Sequence, residues 1–244
     1  MNTHTLTNEA PPAFWNTRYG LMKATDSTDL AARSLQHYGE WAEKEIDLLG
    51  SWIQEDQHVL EAGSEYGAHT LWLARTVGAR GRVHVTDPDR LALQLLCANV
   101  AINGLANVHT HAFQAGASEH QVEPASADAE PLQVRTLDSL ALERLDLLKS
   151  NVPGQLLPVL AGAADTIRRC RPLVYARLSG VAQAEAEVRA LKELGYRCWA
   201  HTPLMHNARN FNEQRDNIFP GCVWQNVVAA PTEGRFELDP QHEL

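Results

Sequence analysis

From Val59 onward the chain alternates short apolar runs with longer segments whose apolar positions recur at helical spacing. The runs predict strands over 57–62, 82–87, 107–112, 145–150 and 171–178, and the segments between them predict helices over 67–77, 89–103, 155–169 and 182–194. Such alternation implies a doubly wound α/β fold, a parallel sheet with helices on both faces. Gly195 follows the last helix as a C-terminal cap, and Lys192 in its final turn suits the helix dipole. A closing pair of strands is expected over 196–201 and 222–229. Ahead of this rhythm, 28–54 reads as two helical pieces, with an apolar stripe of Trp41, Ile46, Leu48, Leu49, Trp52 and Ile53 that covers the sheet or its cleft.

Three stretches break the pattern. Residues 1–15 and the tail after Pro231 are expected to be loose, and the polar, acidic run 115–131 reads as an exposed loop or short hairpin. The organisation is therefore a helical extension (1–54), one α/β domain (55–231) and a C-terminal tail (232–244), at a length that suits one substantial core.

Composition narrows the partners. A net charge of −9, with no basic run interleaved with aromatics, speaks against a nucleic-acid binder, because neutralising phosphates needs clustered Lys and Arg. Cys97, Cys170, Cys198 and Cys222 form no C-x-x-C pair, so neither structural zinc nor a redox dithiol is expected, and buried or half-buried reduced thiols are. Without a signal-like amino terminus or an apolar run of membrane length, the expectation is a soluble, cytoplasmic protein.

The chemistry concentrates in VLEAGSEYG (Val59 to Gly67) and VHVTDP (Val83 to Pro88). A strand ending in a glycine-bearing loop, then a helix, then a strand ending in an acid builds a nucleoside crevice at the carboxyl ends of parallel strands. Asp87 stands about 20 residues beyond the loop, where such an acid reaches ribose hydroxyls. A dinucleotide loop needs a second glycine where this chain has Glu65, and a carboxylate there repels a pyrophosphate. S-adenosylmethionine carries no phosphate and bears a sulfonium and an ammonium, so Glu61, Gly63, Ser64, Glu65 and Gly67 read as the methionine-binding loop and Asp87 as the ribose acid. An ordinary strand-to-helix turn is the plain alternative.

Further runs carry a resemblance. YGEWAEKEIDLL (Tyr38 to Leu49), LLCANVAINGLANV (Leu95 to Val108), RTLDSL (Arg135 to Leu140), DLLKSNVPG (Asp146 to Gly154), RPLVY (Arg171 to Tyr175) and LKELGYRCWAH (Leu191 to His201) occur in this order, and from about Tyr19 to Pro231 the chain resembles the FkbM-type methyltransferases. The resemblance implies a class I S-adenosylmethionine-dependent methyltransferase fold, a seven-stranded sheet with the last strand antiparallel. It also implies O-methylation of a hydroxyl of a sugar or other secondary metabolite. The chain departs from the family where acids are usual. Asn151 and Pro153 stand in an acid-bearing Asp-Val-Glu motif, and Arg177-Leu178-Ser179 stands where a Glu-Asn-Asp-like cluster is common.

Methyl transfer to an alcohol needs in-line approach and usually a base. Asn151 cannot take a proton but can orient a hydroxyl, and Arg177 disfavours a nearby divalent cation, so no metal is expected. Arg177 at the rim also hints at a carboxylate or phosphate on the acceptor. His201 and His206, in HTPLMHNARNF, are the candidate bases, though each reads more readily as a plain surface or loop residue. Asn207, Asn210 and Asn226 offer hydroxyl-binding amides, and Phe113 and Gln114 are expected beside the adenine. Lys149 either reaches a carboxylate or snorkels to solvent, and Tyr38 and Trp41 line an acceptor pocket or bury the first helices. The expected partner is a small-molecule acceptor, with homo-oligomerisation left open. A competing reading is a catalytically degenerate relative that binds ligand or serves as a scaffold.

Overall fold

The computed structural model describes residues 14–25, 29–123, 131–234, 236, 238 and 240–244. The expectation for residues 1–13 lies outside these.

Seven strands form one sheet: β1 (His58–Ala62), β2 (Arg82–Thr86), β3 (Val108–His111), β4 (Leu147–Ser150), β5 (Leu173–Arg177), β6 (Tyr196–His201) and β7 (Asn226–Pro231). Their order across the sheet is β6-β7-β5-β4-β1-β2-β3, with β7 alone antiparallel to its neighbours. The helices are α1 (Leu30–Tyr38), α2 (Glu43–Leu49), α3 (Ala68–Val77), α4 (Arg90–Ile102), α5 (Leu156–Gly162), α6 (Ala164–Cys170) and α7 (Val181–Glu193). The central strands are apolar along both faces because both are covered. Val59, Val83, Leu147 and Tyr175 face α1 to α4, while Leu60, Leu148 and Val174 face α5 to α7.

Most predicted elements form within one or two residues of their expected ends. The expected helix over 155–169 is two helices, broken at Ala163. A Cβ on Gly162 would lie 1.9 Å from the Gly116 carbonyl oxygen, so the turn presses against the 114–116 backbone and only glycine fits. Where a loop or short hairpin was expected, the described residues Gln114–Ala115, His120–Val122 and Leu132–Arg135 form a small three-stranded sheet, the last two pairing antiparallel. Among the described residues no α-helix connects β3 to β4, only the small sheet and a 3₁₀ turn over Asp138–Leu140. The last strand starts at Asn226 and not at 222, because the preceding segment bonds elsewhere, Trp224 N to Pro203 O at 3.0 Å. A hairpin of Trp15–Thr17 and Gly20–Met22, unforeseen, precedes α1.

The described tail residues are docked, not loose. Leu244 N donates to Cys198 O at 2.8 Å, Arg197 pairs with Glu243, and the Phe236 ring packs on Trp52 and Trp199. Cys97 and Cys222 are exposed, contrary to the expectation of burial; Cys198 is buried. No helix of the described residues is long and apolar enough to cross a membrane.

Candidate functional site

The loop leaving β1 is strained. Gly63 and Gly67 have φ of +91° and +93°, and between them Glu65 (+43°) and Tyr66 (+61°) occupy the same left-handed region without being glycine. Each such residue costs of order 1–3 kcal/mol and persists only where surroundings hold it. Here they do. Asp87, at the end of β2, accepts from Ser64 N at 2.8 Å and Ser64 Oγ at 2.6 Å. Asn99, fully buried in α4, donates to Tyr66 O at 2.8 Å, and the Tyr66 hydroxyl meets Thr25 Oγ1 at 2.9 Å. Arg177, at the end of β5, grips the Glu65 carboxylate.

Beneath the loop lies a buried ionic cluster. Register places Glu61 on β1 opposite Lys149 on β4. Lys149 Nζ lies 3.5 Å from Glu61 and 3.6 Å from Glu45 of α2. Arg177 Nε donates to Glu45 Oε1 at 2.9 Å. Arg177 is 1% exposed, and its guanidinium sits in the corner of an edge-to-face indole pair, 4.3 Å from the Trp224 ring centroid and 5.5 Å from that of Trp41. Burial alone would raise the Glu45 carboxyl, but the Arg177 and Lys149 cations outweigh it and hold it at about 2. Glu61, facing Lys149 but not Arg177, goes the other way: burial raises it, and Lys149, Thr70 and Asn151 offset only part. His69 donates Nε2–H to Trp41 O at 3.0 Å, and burial keeps it neutral.

A cavity of about 360 Å³ opens above this cluster, lined by the loop, the start of α1, Asp87, Asp89, Asn151 to Pro153, Arg177, Trp41 and Trp224. A smaller one, about 80 Å³, lies beyond Gly63 and Val152 and is lined by Gln114 and Gln155 among others. Four carboxylates line the larger cavity, those of Asp29, Glu65, Asp87 and Asp89, against the single cation Arg177.

The structure sorts the sequence-predicted residues. Gly63, Ser64, Glu65, Asp87, Asn151 and Arg177 line the larger cavity and Gln114 the smaller, while Gly67 ends the loop as the residue before α3. Glu61 is fully buried, with Thr70 Oγ1 at 2.6 Å and Asn151 Nδ2 at 2.8 Å on its two oxygens, and does not line the cavity. Phe113 is buried in the opposite core and lines neither cavity. Asn151 donates to Glu61 Oε1 and to Gly63 O and accepts from Lys149, so its amide braces the loop instead of orienting a hydroxyl. Arg177 spends its donors on Glu45, Glu65 and Asn151 O, leaving the hinted acceptor anion no free fork. His201 lines neither cavity. Asn226 donates to Tyr175 Oη at 2.6 Å, and that hydroxyl is hydrogen-bonded to His201 Nδ1 at 2.8 Å.

His206 packs beside Tyr38 and likewise lines neither cavity. Asn207 donates to Glu40, and Asn210 to Asn207 O and Gln214 O within its own loop. Of the open pair, Trp41 is cavity wall, whereas Tyr38 bonds Asp216 O and Ile218 N and pins the 205–219 loop. Sequence reasoning missed Glu45, Asp29 and Asp89. Glu45 had a signal: Glu45 and Leu49 are four residues apart and share one face of α2, which put an acid in line with an apolar residue.

The chain belongs to the FkbM methyltransferase domain family, which matches residues 61–198, more than half of it. Comparison with curated proteins finds no match. Among solved structures it is similar to methyltransferase FkbM from Methylobacillus flagellatus (18% identity, TM-score 0.52), over 74% of this chain but only 45% of that one. It is also similar to precorrin-6y C5,15-methyltransferase from Geobacter metallireducens (12% identity, TM-score 0.52, 89% of this chain and 94% of that one). A third is a methyltransferase-fold protein from Streptococcus mutans in complex with SAH (12% identity, TM-score 0.51, 77% and 96%). These likenesses establish the class I methyltransferase fold.

Proposed function

We propose that the acid-lined cavity binds S-adenosylmethionine and that the protein methylates a hydroxyl of a small metabolite, a sugar or a related secondary product. The observation that carries this reading is the excess of carboxylates over cations around the cavity. Phosphates are repelled there and a sulfonium with an ammonium is attracted. The residues fit such a ligand: Gly63 leaves the floor open where any Cβ would collide with Val152 at 2.8 Å, Asp87 and Asp89 stand at the end of β2, and Gln114 lines the smaller recess. When bound, the cofactor supplies an electrophilic methyl group. The chain supplies the walls, Trp41, Trp224 and Pro153, and proton acceptors that are carboxylates and not an imidazole. The net charge of −9 favours a small acceptor over a nucleic acid.

A second reading, a ligand-binding module without catalysis, is favoured by one observation: Asn151 and Arg177 occupy acid positions of the family and are consumed by internal bonds. Calorimetry with S-adenosylmethionine, S-adenosylhomocysteine and NAD tests both. Heat with the first two and none with NAD is expected, and silence with all three ends the ligand reading. Transfer of labelled methyl to a panel of sugar and polyketide alcohols then separates enzyme from binding module.

A further inference from the structure

A further cavity, of about 560 Å³, lies on the opposite face of the sheet, under α7. Neighbouring residues divide between it and the acid-lined cavity: Arg177 and Trp224 line the latter, Leu178 and Gln225 the former. Its walls come from helix, strand and tail. Ala184, Val188 and Lys192 recur at i, i+4 and i+8 along α7 and form one stripe. Across from them stands Ala200 of β6, on the same side of that strand as buried Cys198 of the core facing α5 to α7. Leu244 adds a wall from the tail, held by its N–H on Cys198 O at 2.8 Å. Small residues on both helix and strand leave the gap, so Leu178, Ala184, Val188 and Ala200 are each half-buried, covered by protein on one side alone. Charge is sparse here. Glu185 and Arg189 pair with each other one turn apart, at 2.6 Å, and cancel. Lys192, at the end of the apolar stripe, makes no ion pair or hydrogen bond among the described residues.

We propose that this cavity binds a small amphipathic carboxylate, its apolar chain or ring lying between α7 and β6 and its head at the Lys192 ammonium. The volume falls within the roughly 300–1,000 Å³ of small-ligand pockets, and mostly apolar walls with one placed charged group are what such a ligand needs. The walls supply affinity by removing apolar surface from water, whatever the head carries. The ammonium then selects: it attracts a carboxylate, gives a neutral hydroxyl little, and repels a cationic head. Because the two cavities occupy opposite faces of the sheet, an occupant here leaves the acid-lined cavity free, and the site stands whatever that cavity binds.

The test is calorimetry of the full chain with decanoate below its micellar concentration, alone and with saturating S-adenosylhomocysteine. One equivalent is expected in both, with decanol weaker and decyltrimethylammonium weaker still. Lys192→Gln, an exposed change on α7, should cut decanoate affinity about threefold or more and leave decanol unchanged. Ala184→Phe fills the gap from the helix side and should weaken both ligands about tenfold. Carbon-13 methyl spectra of the wild-type protein keep the test independent of variant folding: decanoate should shift Leu178, Val188 and Leu244. Absence of saturable binding, equal affinity for decanoate and decyltrimethylammonium, displacement by S-adenosylhomocysteine, or shifts confined to the acid-lined cavity, as at Val152, each overturns the proposal.

Discussion

Asn151 Nδ2 sits 2.8 Å from Glu61 Oε1 and 2.7 Å from Gly63 O, so one amide ties the end of β4 to both the strand and the loop that precede the cavity. A carboxylate cannot make either bond. That explains why an acid is absent from this position here, next to a glutamate with no exposure.

Asn151→Asp should therefore destabilise the fold at neutral pH by about 1–3 kcal/mol, through two lost donors and a second carboxylate beside the first. The paired carboxyls would share a raised pKa. A group whose folded pKa lies above its unfolded value costs stability at high pH, and that cost fades as pH falls. Denaturant midpoints of the variant should accordingly approach wild type on acidification from pH 7 towards 5; a constant deficit would count against the brace.

Arg177→Met leaves Glu45 and Glu65 without their guanidinium. Breaking a buried pair from one side costs about 3–5 kcal/mol, so urea denaturation should show a loss of that size. Adding Glu45→Gln to Arg177→Met should recover part of it. A variant as stable as wild type would mean that the cluster is solvated in solution.

Glu45 and Glu61 should leave opposite marks on acid stability. The Glu45 carboxyl is held at about 2, below its ordinary 4.5, so its contribution is complete above pH 4.5 and is lost as pH falls towards 2. The shift corresponds to roughly 3 kcal/mol. Glu61 is raised, so above pH 4.5 it adds stability as pH falls. Glu45→Gln should flatten the midpoint curve below pH 4.5, and Glu61→Gln should remove a rise on the neutral side of it. Identical curves for the two variants would contradict the assignment.

Gly63→Ala forces a Cβ into a φ of +91° and to 2.8 Å from Val152 Cγ2. A loss of about 1–3 kcal/mol is expected, along with weaker binding of S-adenosylhomocysteine by calorimetry. Unchanged binding would place the ligand away from this loop.

The strand and helix rhythm was legible because the central strands are buried on both faces and read as plain apolar runs, Val59 with Leu60 and Leu147 with Leu148. The loop and Asp87 were legible by spacing. What pattern reading missed depends on long-range pairing. Arg177 looked like a rim residue because nothing local shows that Glu45, 132 positions earlier, lies under it. His201 and Phe113 stand at strand ends, but the pleat and the packing carry their side chains away from the cavity. Of the small sheet only a loop or short hairpin was legible, because its strands are short and mostly exposed, without the apolar alternation that marks a half-buried strand.

The seat of Arg177 against both Trp41 and Trp224 gives the molecule an optical reporter. Guanidinium position sets the electric field at two indoles that border the cavity, and the same guanidinium tethers Glu65 of the loop. Any occupant that displaces Glu65 must shift that field. Tryptophan emission of the unlabelled chain, compared with Trp224→Phe, therefore tracks opening of the loop in real time.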